Sequence, residues 1–113
     1  PISDAGLVTG KVGSDLDIDE AFTAARLTGL QLLAAARDRL GTLDRVVRVV
    51  KIFGMVNCAP GFNQTPAVIN GCSQLMLDVF GDAGIHTRSA VGMAELPFDI
   101  AVEIEGIFQV TPD

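Results

Sequence analysis

The stretch RVVRVVKIFGMV, from Arg45 to Val56, decides the fold of this chain. It is rich in β-branched residues and nearly continuous in apolar character, which is typical of a strand rather than of a helix. Apolar residues stand at both parities, so both faces of the strand are predicted to be buried. Helices would cover one face, and a partner subunit is the simplest cover for the other.

A long helix is predicted before this strand, after a loop or short hairpin arm in residues 1–15. Asp17 can accept hydrogen bonds from the first-turn amides, and Glu20 follows three residues later, as in a capping box. Gly41 supplies the left-handed stop. Apolar and small residues recur between them at three- and four-residue steps, which favours close packing on a sheet.

A second helix is predicted after the strand, with Thr65 as N-cap, Pro66 as first helical residue and Gly81 as the stop. Asn70 and Gly71 lie inside it although each is a poor helix former. Such an exception can mark a functional site.

Two further strands are predicted in the last third of the chain, over Ile85–Met93 and Ile100–Val110. By the period of two, one face of the first strand carries His86, Arg88, Ala90 and Gly92. One face of the second carries Ala101, Glu103, Glu105 and Ile107.

Composition bounds the class of protein. A chain of 113 residues is one domain by length, and its 49% apolar content exceeds what a small monomer needs. No run of about 18 apolar residues is present, so a membrane span is not expected. We therefore expect a cytoplasmic protein whose apolar excess lies in subunit interfaces.

The charge balance argues against nucleic acid as a partner. Fourteen acidic residues against eight basic ones give a net charge of −6, and Trp and Tyr are absent. Phosphate backbones would be repelled, and aromatic stacking platforms are few. Cys58 and Cys72 stand far apart without a C-x-x-C pair, which suggests neither a zinc site nor a disulfide.

Three charged or titratable residues in the predicted strands are ambiguous. His86 is the only histidine, and it is interpreted either as an ordinary hydrogen-bonding residue or as an acid–base group. Arg88 and Glu103 bring charge into otherwise apolar strands, where isolated charges are costly. They therefore form either a structural ion pair or part of a binding site.

Several segments together resemble the YjgF family, also called Rid or L-PSP endoribonuclease-like proteins. The specific ones are in the C-terminal half: HTRSAVG (86–92), LP (96–97) and VEIE (102–105), with GMVN (54–57), PAVING (66–71) and VFG (79–81) in support. The resemblance covers nearly all of residues 1–113 as one domain. It implies a chorismate-mutase-like α+β fold, with two helices on one face of a mixed sheet, assembled as a homotrimer around a central β-barrel with ligand clefts between subunits.

The resemblance also implies a function, the hydrolysis of reactive 2-imino acids and their enamine tautomers, such as 2-aminoacrylate and 2-iminopropanoate, to 2-keto acids and ammonia. By its motifs, Arg88 matches the arginine that clamps the substrate carboxylate, and Glu103 matches the carboxylate that activates the attacking water. Asn70 matches a cleft residue. Ala90 stands where the archetype often has Cys, and it is placed with the substrate-binding residues.

The chain also departs from the archetype of this family. It has no Tyr, although archetypal members place one over the pocket, and we expect a further N-terminal strand or hairpin before Pro1. The HTRSAVG pattern indicates a YjgF-like subgroup. Two other functions therefore stay open: a small-acid-binding trimer without turnover, and an endoribonuclease or translation inhibitor.

Overall fold

Five strands and two α-helices form in residues 1–112, the part of the chain that the computed structural model describes. In chain order they are β1 (Ile2–Ser3), β2 (Gly6–Leu7), α1 (Ile18–Leu40), β3 (Val46–Asn57), α2 (Thr65–Phe80), β4 (Thr87–Met93) and β5 (Val102–Val110). The first two strands pair as the small hairpin predicted in residues 1–15. The predicted α+β class is confirmed.

β3, which contains nearly all of the strand predicted over Arg45–Val56, is the central strand of the main sheet. β3 pairs in parallel with β4 on one side and antiparallel with β5 on the other, so the sheet is mixed. β3 begins and ends one residue later than predicted, while β4 and β5 each begin two residues later. Short 3-10 turns, Gly81–Gly84 and Pro97–Asp99, take up most of the approach to those two strands.

Both helices pack on one face of this sheet. Ile52 and Val56 of β3 and Val102 of β5 are fully buried in a single core with Ile69 of α2 and Ala25 of α1. Burying these apolar side chains is the main favourable contribution to folding. The predicted arrangement of two helices on one side of a mixed sheet is confirmed.

The other face of the sheet is open within one chain. Ile107 of β5 is 56% exposed and Val91 of β4 is 37% exposed, and Arg48 and Lys51 of β3 are exposed as well. Within the single chain, helices therefore cover one face of β3, and the first half of its other face stays exposed. Cover by a partner subunit stays a prediction.

The first helix ends as its sequence predicts. Asp17 Oδ1 accepts from the Glu20 amide at 2.8 Å, and Glu20 Oε1 accepts from the Asp17 amide at 3.1 Å. Gly41 has φ 87° and donates its amide to the Arg37 carbonyl. Among residues 1–112, no helix is long and apolar enough to cross a membrane.

The prediction of Thr65 as the N-cap of α2 is wrong. Gln64 holds the cap position without a side-chain hydrogen bond, and Thr65 is already helical. The Thr65 hydroxyl instead donates to the Ala90 carbonyl on β4 at 2.9 Å. The Thr65 hydroxyl thus bonds to a distant strand rather than to an amide of its own helix, and this hydrogen bond links the start of α2 to β4.

Gly71 is explained by helix packing rather than by a functional site. A Cβ atom at this position would lie 2.1 Å from the Phe22 carbonyl oxygen of α1. The two helices cross so closely here that only a residue without a side chain fits. The lower helix propensity of glycine is thus offset by the contact between α1 and α2.

A buried amide organises the loop between β4 and β5. Asn57 is fully buried; its Nδ2 donates to the Gly10 carbonyl and to Asp99 Oδ1, and its Oδ1 accepts from Lys11 Nζ. Lys11 also donates to the Ala94 carbonyl. Phe98 and Asp99 adopt φ values of 55° and 57°, a left-handed conformation that persists only where surrounding contacts fix it.

Replacing Gly71 by alanine tests the close helix crossing. We expect Gly71→Ala to lower the free energy of unfolding by about 2 kcal/mol or more, because the Phe22 carbonyl must move away. Urea denaturation followed by circular dichroism measures the change. Gly106→Ala is the matched control, since its Cβ would meet ordinary contacts at 3.4 Å, and equal effects of the two substitutions would contradict the crossing.

Candidate functional site

The Arg88 side chain lies on the helix side of the edge strand and reaches α2. Its Cα is paired with that of Ile52, whose side chain is in the core beneath the helices. Arg88 Nη1 donates to Asn70 Oδ1 at 2.7 Å and to Ser73 Oγ at 3.3 Å. Asn70 and Ser73 stand one turn apart on α2, so the same helix face holds both acceptors.

The positive charge of Arg88 is not neutralised within the chain. Both of its acceptors are uncharged, and no carboxylate in residues 1–112 forms an ion pair with it. The side chain is exposed, and across the described residues its Nη2 and Nε atoms have no acceptor. A planar guanidinium with an unused edge is suited to bind a carboxylate through two parallel hydrogen bonds.

His86 adjoins the same group of side chains. Its Nδ1 lies 2.6 Å from the Gly84 carbonyl oxygen, which can only accept, so Nδ1 carries a proton. Its Nε2 lies 2.9 Å from Ser73 Oγ. In the neutral ring, Nε2 therefore accepts the Ser73 hydroxyl proton, while the same oxygen accepts from Arg88.

Cys72 is next to Ser73 but points into the core, where it is fully buried. Burial raises the pKa of the Cys72 thiol to about 11, and the nearby Arg88 charge opposes this only in part. The thiol therefore keeps its proton at neutral pH and is not a nucleophile of this site.

Ala90 stands two residues after Arg88 on the same face of β4, as predicted. It is half-buried, its Cα is paired with that of Gly54, and it packs against the core. With Asn70, it borders Arg88 on the helix side. Three of the four predicted site residues are thus close together in one chain.

Glu103 lies on the opposite face of the sheet. Its Cα is paired with that of Met55, whereas Arg88 is paired with Ile52, and residues at odd separation along β3 point to opposite faces. Glu103 is half-buried and forms no ion pair with any residue in 1–112. The interpretation of Arg88 and Glu103 as a structural ion pair is therefore wrong for a single chain.

Ser73 is the site residue that sequence reasoning missed. The available signal was the pair Asn70 and Ser73, two polar residues at i and i+3 that share one face of the helix. Within the described residues, no group of three or more His, Cys, Asp or Glu side chains is arranged to hold a metal ion.

Sequence and structure comparisons place this chain among known proteins. Residues 2–104 match the family described as "YjgF/chorismate mutase-like, putative endoribonuclease". The chain is 44% identical over 106 residues to Protein TCP17 of Trypanosoma cruzi, covering 93% of this chain and 66% of that protein.

Two solved structures are similar to this one. The Agrobacterium tumefaciens protein Atu1372, described as of unknown function, superposes with a TM-score of 0.91 at 43% identity, covering 93% of this chain and 68% of that one. A "putative endoribonuclease" from Shewanella oneidensis MR-1 gives 0.84 at 28% identity, with coverages of 87% and 65%. The chain spans about two thirds of the length of these relatives. On the family match and these identities, the chain belongs to the YjgF/chorismate mutase-like family.

Proposed function

We propose that this protein hydrolyses reactive 2-imino acids, of the 2-aminoacrylate and 2-iminopropanoate type, to 2-keto acids and ammonia. The observation that carries the proposal is the Arg88 guanidinium, held by two neutral acceptors and left without a carboxylate partner within residues 1–112. A small carboxylate would supply the missing negative charge. The fork geometry of arginine also fixes the orientation of that carboxylate, which a lysine would not do.

Hydrolysis of an imine needs a proton acceptor for the attacking water. Water adds to the C=N carbon, a base takes its proton, and ammonia then leaves as the carbonyl forms. Glu103 is the carboxylate we assign to this role. The imine is already electrophilic, so the proposed reaction uses no metal or organic cofactor.

The positions of Arg88 and Glu103 support an active site built from two copies of the chain. Since the two side chains point to opposite faces of one sheet, a single chain does not bring them together. In a homotrimer with clefts between subunits, Arg88 of one copy can face Glu103 of a neighbour. The open sheet face, with exposed Val91 and Ile107, offers apolar surface for such an assembly.

A binding protein without turnover is the second candidate. It is favoured by the absence of any carboxylate beside Arg88 in the single chain. Binding of 2-ketobutyrate that is lost in Arg88→Ala, together with no acceleration of imine hydrolysis, would select it.

An endoribonuclease, the activity named in the family description, is the third candidate. The net charge of −6 and the lack of Trp and Tyr weigh against RNA as a substrate. Cleavage of RNA by repurified protein, abolished in Arg88→Ala, would place this candidate first.

Removing the guanidinium tests the carboxylate clamp. We expect Arg88→Ala to lower kcat/KM for 2-iminopropanoate about 100-fold, because two charge-assisted hydrogen bonds to the substrate are lost. An amino-acid oxidase generates the imine in situ, and ammonia release above the uncatalysed rate is measured. Arg39→Ala, which removes an exposed arginine at the end of α1, is the control. Equal rates of ammonia release for wild type and Arg88→Ala would contradict the proposal.

Mixing two impaired variants tests whether each site draws on two chains. Arg88→Ala and Glu103→Gln are each expected to keep at most about 1% of the wild-type activity alone. Co-expressed in equal amounts as mixed trimers, they should recover about one quarter of the wild-type activity, because that share of interfaces pairs an intact Arg88 with an intact Glu103 of the neighbour. Each variant co-expressed with a second tagged copy of itself is the control, and no recovery in the mixture would refute the shared site.

A further inference from the structure

The hydrogen bonds around Ser73 indicate a role for its hydroxyl beyond packing. A serine hydroxyl has one proton to donate and two lone pairs to accept with. Arg88 Nη1 occupies one lone pair at 3.3 Å. The contact with His86 Nε2 at 2.9 Å then takes either the proton or the second lone pair, depending on the charge of the imidazole.

The Gly84 carbonyl restricts proton exchange of the His86 ring to one nitrogen, Nε2. Because it binds the Nδ1 proton of His86 at 2.6 Å, any proton gained or lost by the ring is on Nε2. In the neutral ring, Ser73 donates to Nε2. In the protonated ring, Nε2 donates to Ser73, and the serine proton turns outward toward whatever is bound at Arg88.

We propose that His86 and Ser73 form a proton relay that protonates the imine nitrogen of a 2-imino acid whose carboxylate is bound by Arg88; this inference rests on the proposed function. The imine nitrogen sits on the carbon bonded to the carboxylate carbon. Ser73 Oγ, which accepts from Arg88 Nη1, lies beside the guanidinium that would hold the carboxylate. Protonation strengthens the electrophile at the moment when water attacks.

The step balances in protons and electrons. The His86 Nε2–H bond breaks as a proton moves to Ser73 Oγ, and the former Ser73 proton forms the new N–H bond. The C=N electron pair moves to nitrogen while the water oxygen bonds to carbon and Glu103 of the neighbouring copy takes the water proton. The resulting carbinolamine loses ammonia after Glu103 returns its proton to nitrogen, the hydroxyl proton passes to solvent, and solvent reprotonates His86.

Several charged or titratable groups lie on the elements that adjoin His86. They are Arg88 on β4, Cys72 and Asp78 on α2, Asp82 in the turn before β4, and Arg48 and Lys51 on β3. Of these, Arg88 shares Ser73 with His86, while Asp78 is engaged with Gln74 and Arg26. Because the relay delivers a proton from His86 Nε2, the activity should fall as the pH rises.

Two substitutions test the relay in the intact protein. We expect His86→Gln and Ser73→Ala each to lower kcat about 100-fold and to remove the fall in activity at higher pH, because neither can pass a proton to nitrogen. Ser73→Thr keeps the hydroxyl and should keep the pH profile. Gln74→Ala, the neighbouring position whose side chain contacts Asp78, is the matched control, and circular dichroism confirms the fold of each variant.

The outcomes separate the relay from the proposed function. An active wild type whose His86→Gln and Ser73→Ala variants keep the same pH profile, or raise only KM, would show that Ser73 merely positions Arg88, and the relay would be overturned while the deaminase stands. A wild type that does not accelerate imine hydrolysis at any pH would overturn both. Loss of the pH limb in both variants, with kcat reduced, supports the relay.

Discussion

Pairing of β3 on both edges is the constraint on which this structure depends. Its backbone groups are satisfied by β4 in one direction and by β5 in the other, and this double register fixes the face that each side chain of the outer strands occupies. Arg88 is aligned with Ile52 and Glu103 with Met55, three positions apart on β3. That odd spacing separates the guanidinium from the carboxylate by the thickness of the sheet.

The local features of the sequence predicted the elements well, since their causes are local. The capping box of Asp17 and Glu20 and the stop at Gly41 satisfy the ends of α1 with residues a few positions away. Thr65 does not cap the helix, because its hydroxyl donates to the carbonyl of Ala90, 25 residues later on β4. Alternation correctly grouped Arg88 with Ala90, but the relation between Arg88 and Glu103 depends on register, which no single strand encodes.

Asn70 and Gly71 are adjacent poor helix formers in α2, and the structure explains each of them by a different contact. Gly71 faces α1 and allows the Phe22 carbonyl to approach, whereas Asn70, one residue earlier, accepts from Arg88. A rotation of about 100° per residue is enough to carry one of them into the helix interface and the other to the edge strand. The sequence indicated that this part of α2 is unusual, and the helix geometry assigns Gly71 to packing and Asn70 to the contact with Arg88.

The contrast between a local cation and an acidic chain bears on what Arg88 can attract. At physiological ionic strength, charges further than about 8 Å away are largely screened, so a small anion at Arg88 experiences mainly the guanidinium and its neutral neighbours Asn70 and Ser73. A polyanion spans many screening lengths and meets the net charge of −6 as well. A small carboxylate gains the full local attraction at Arg88, while each added phosphate of an RNA brings repulsion. The same guanidinium therefore favours a small acid over a nucleic acid.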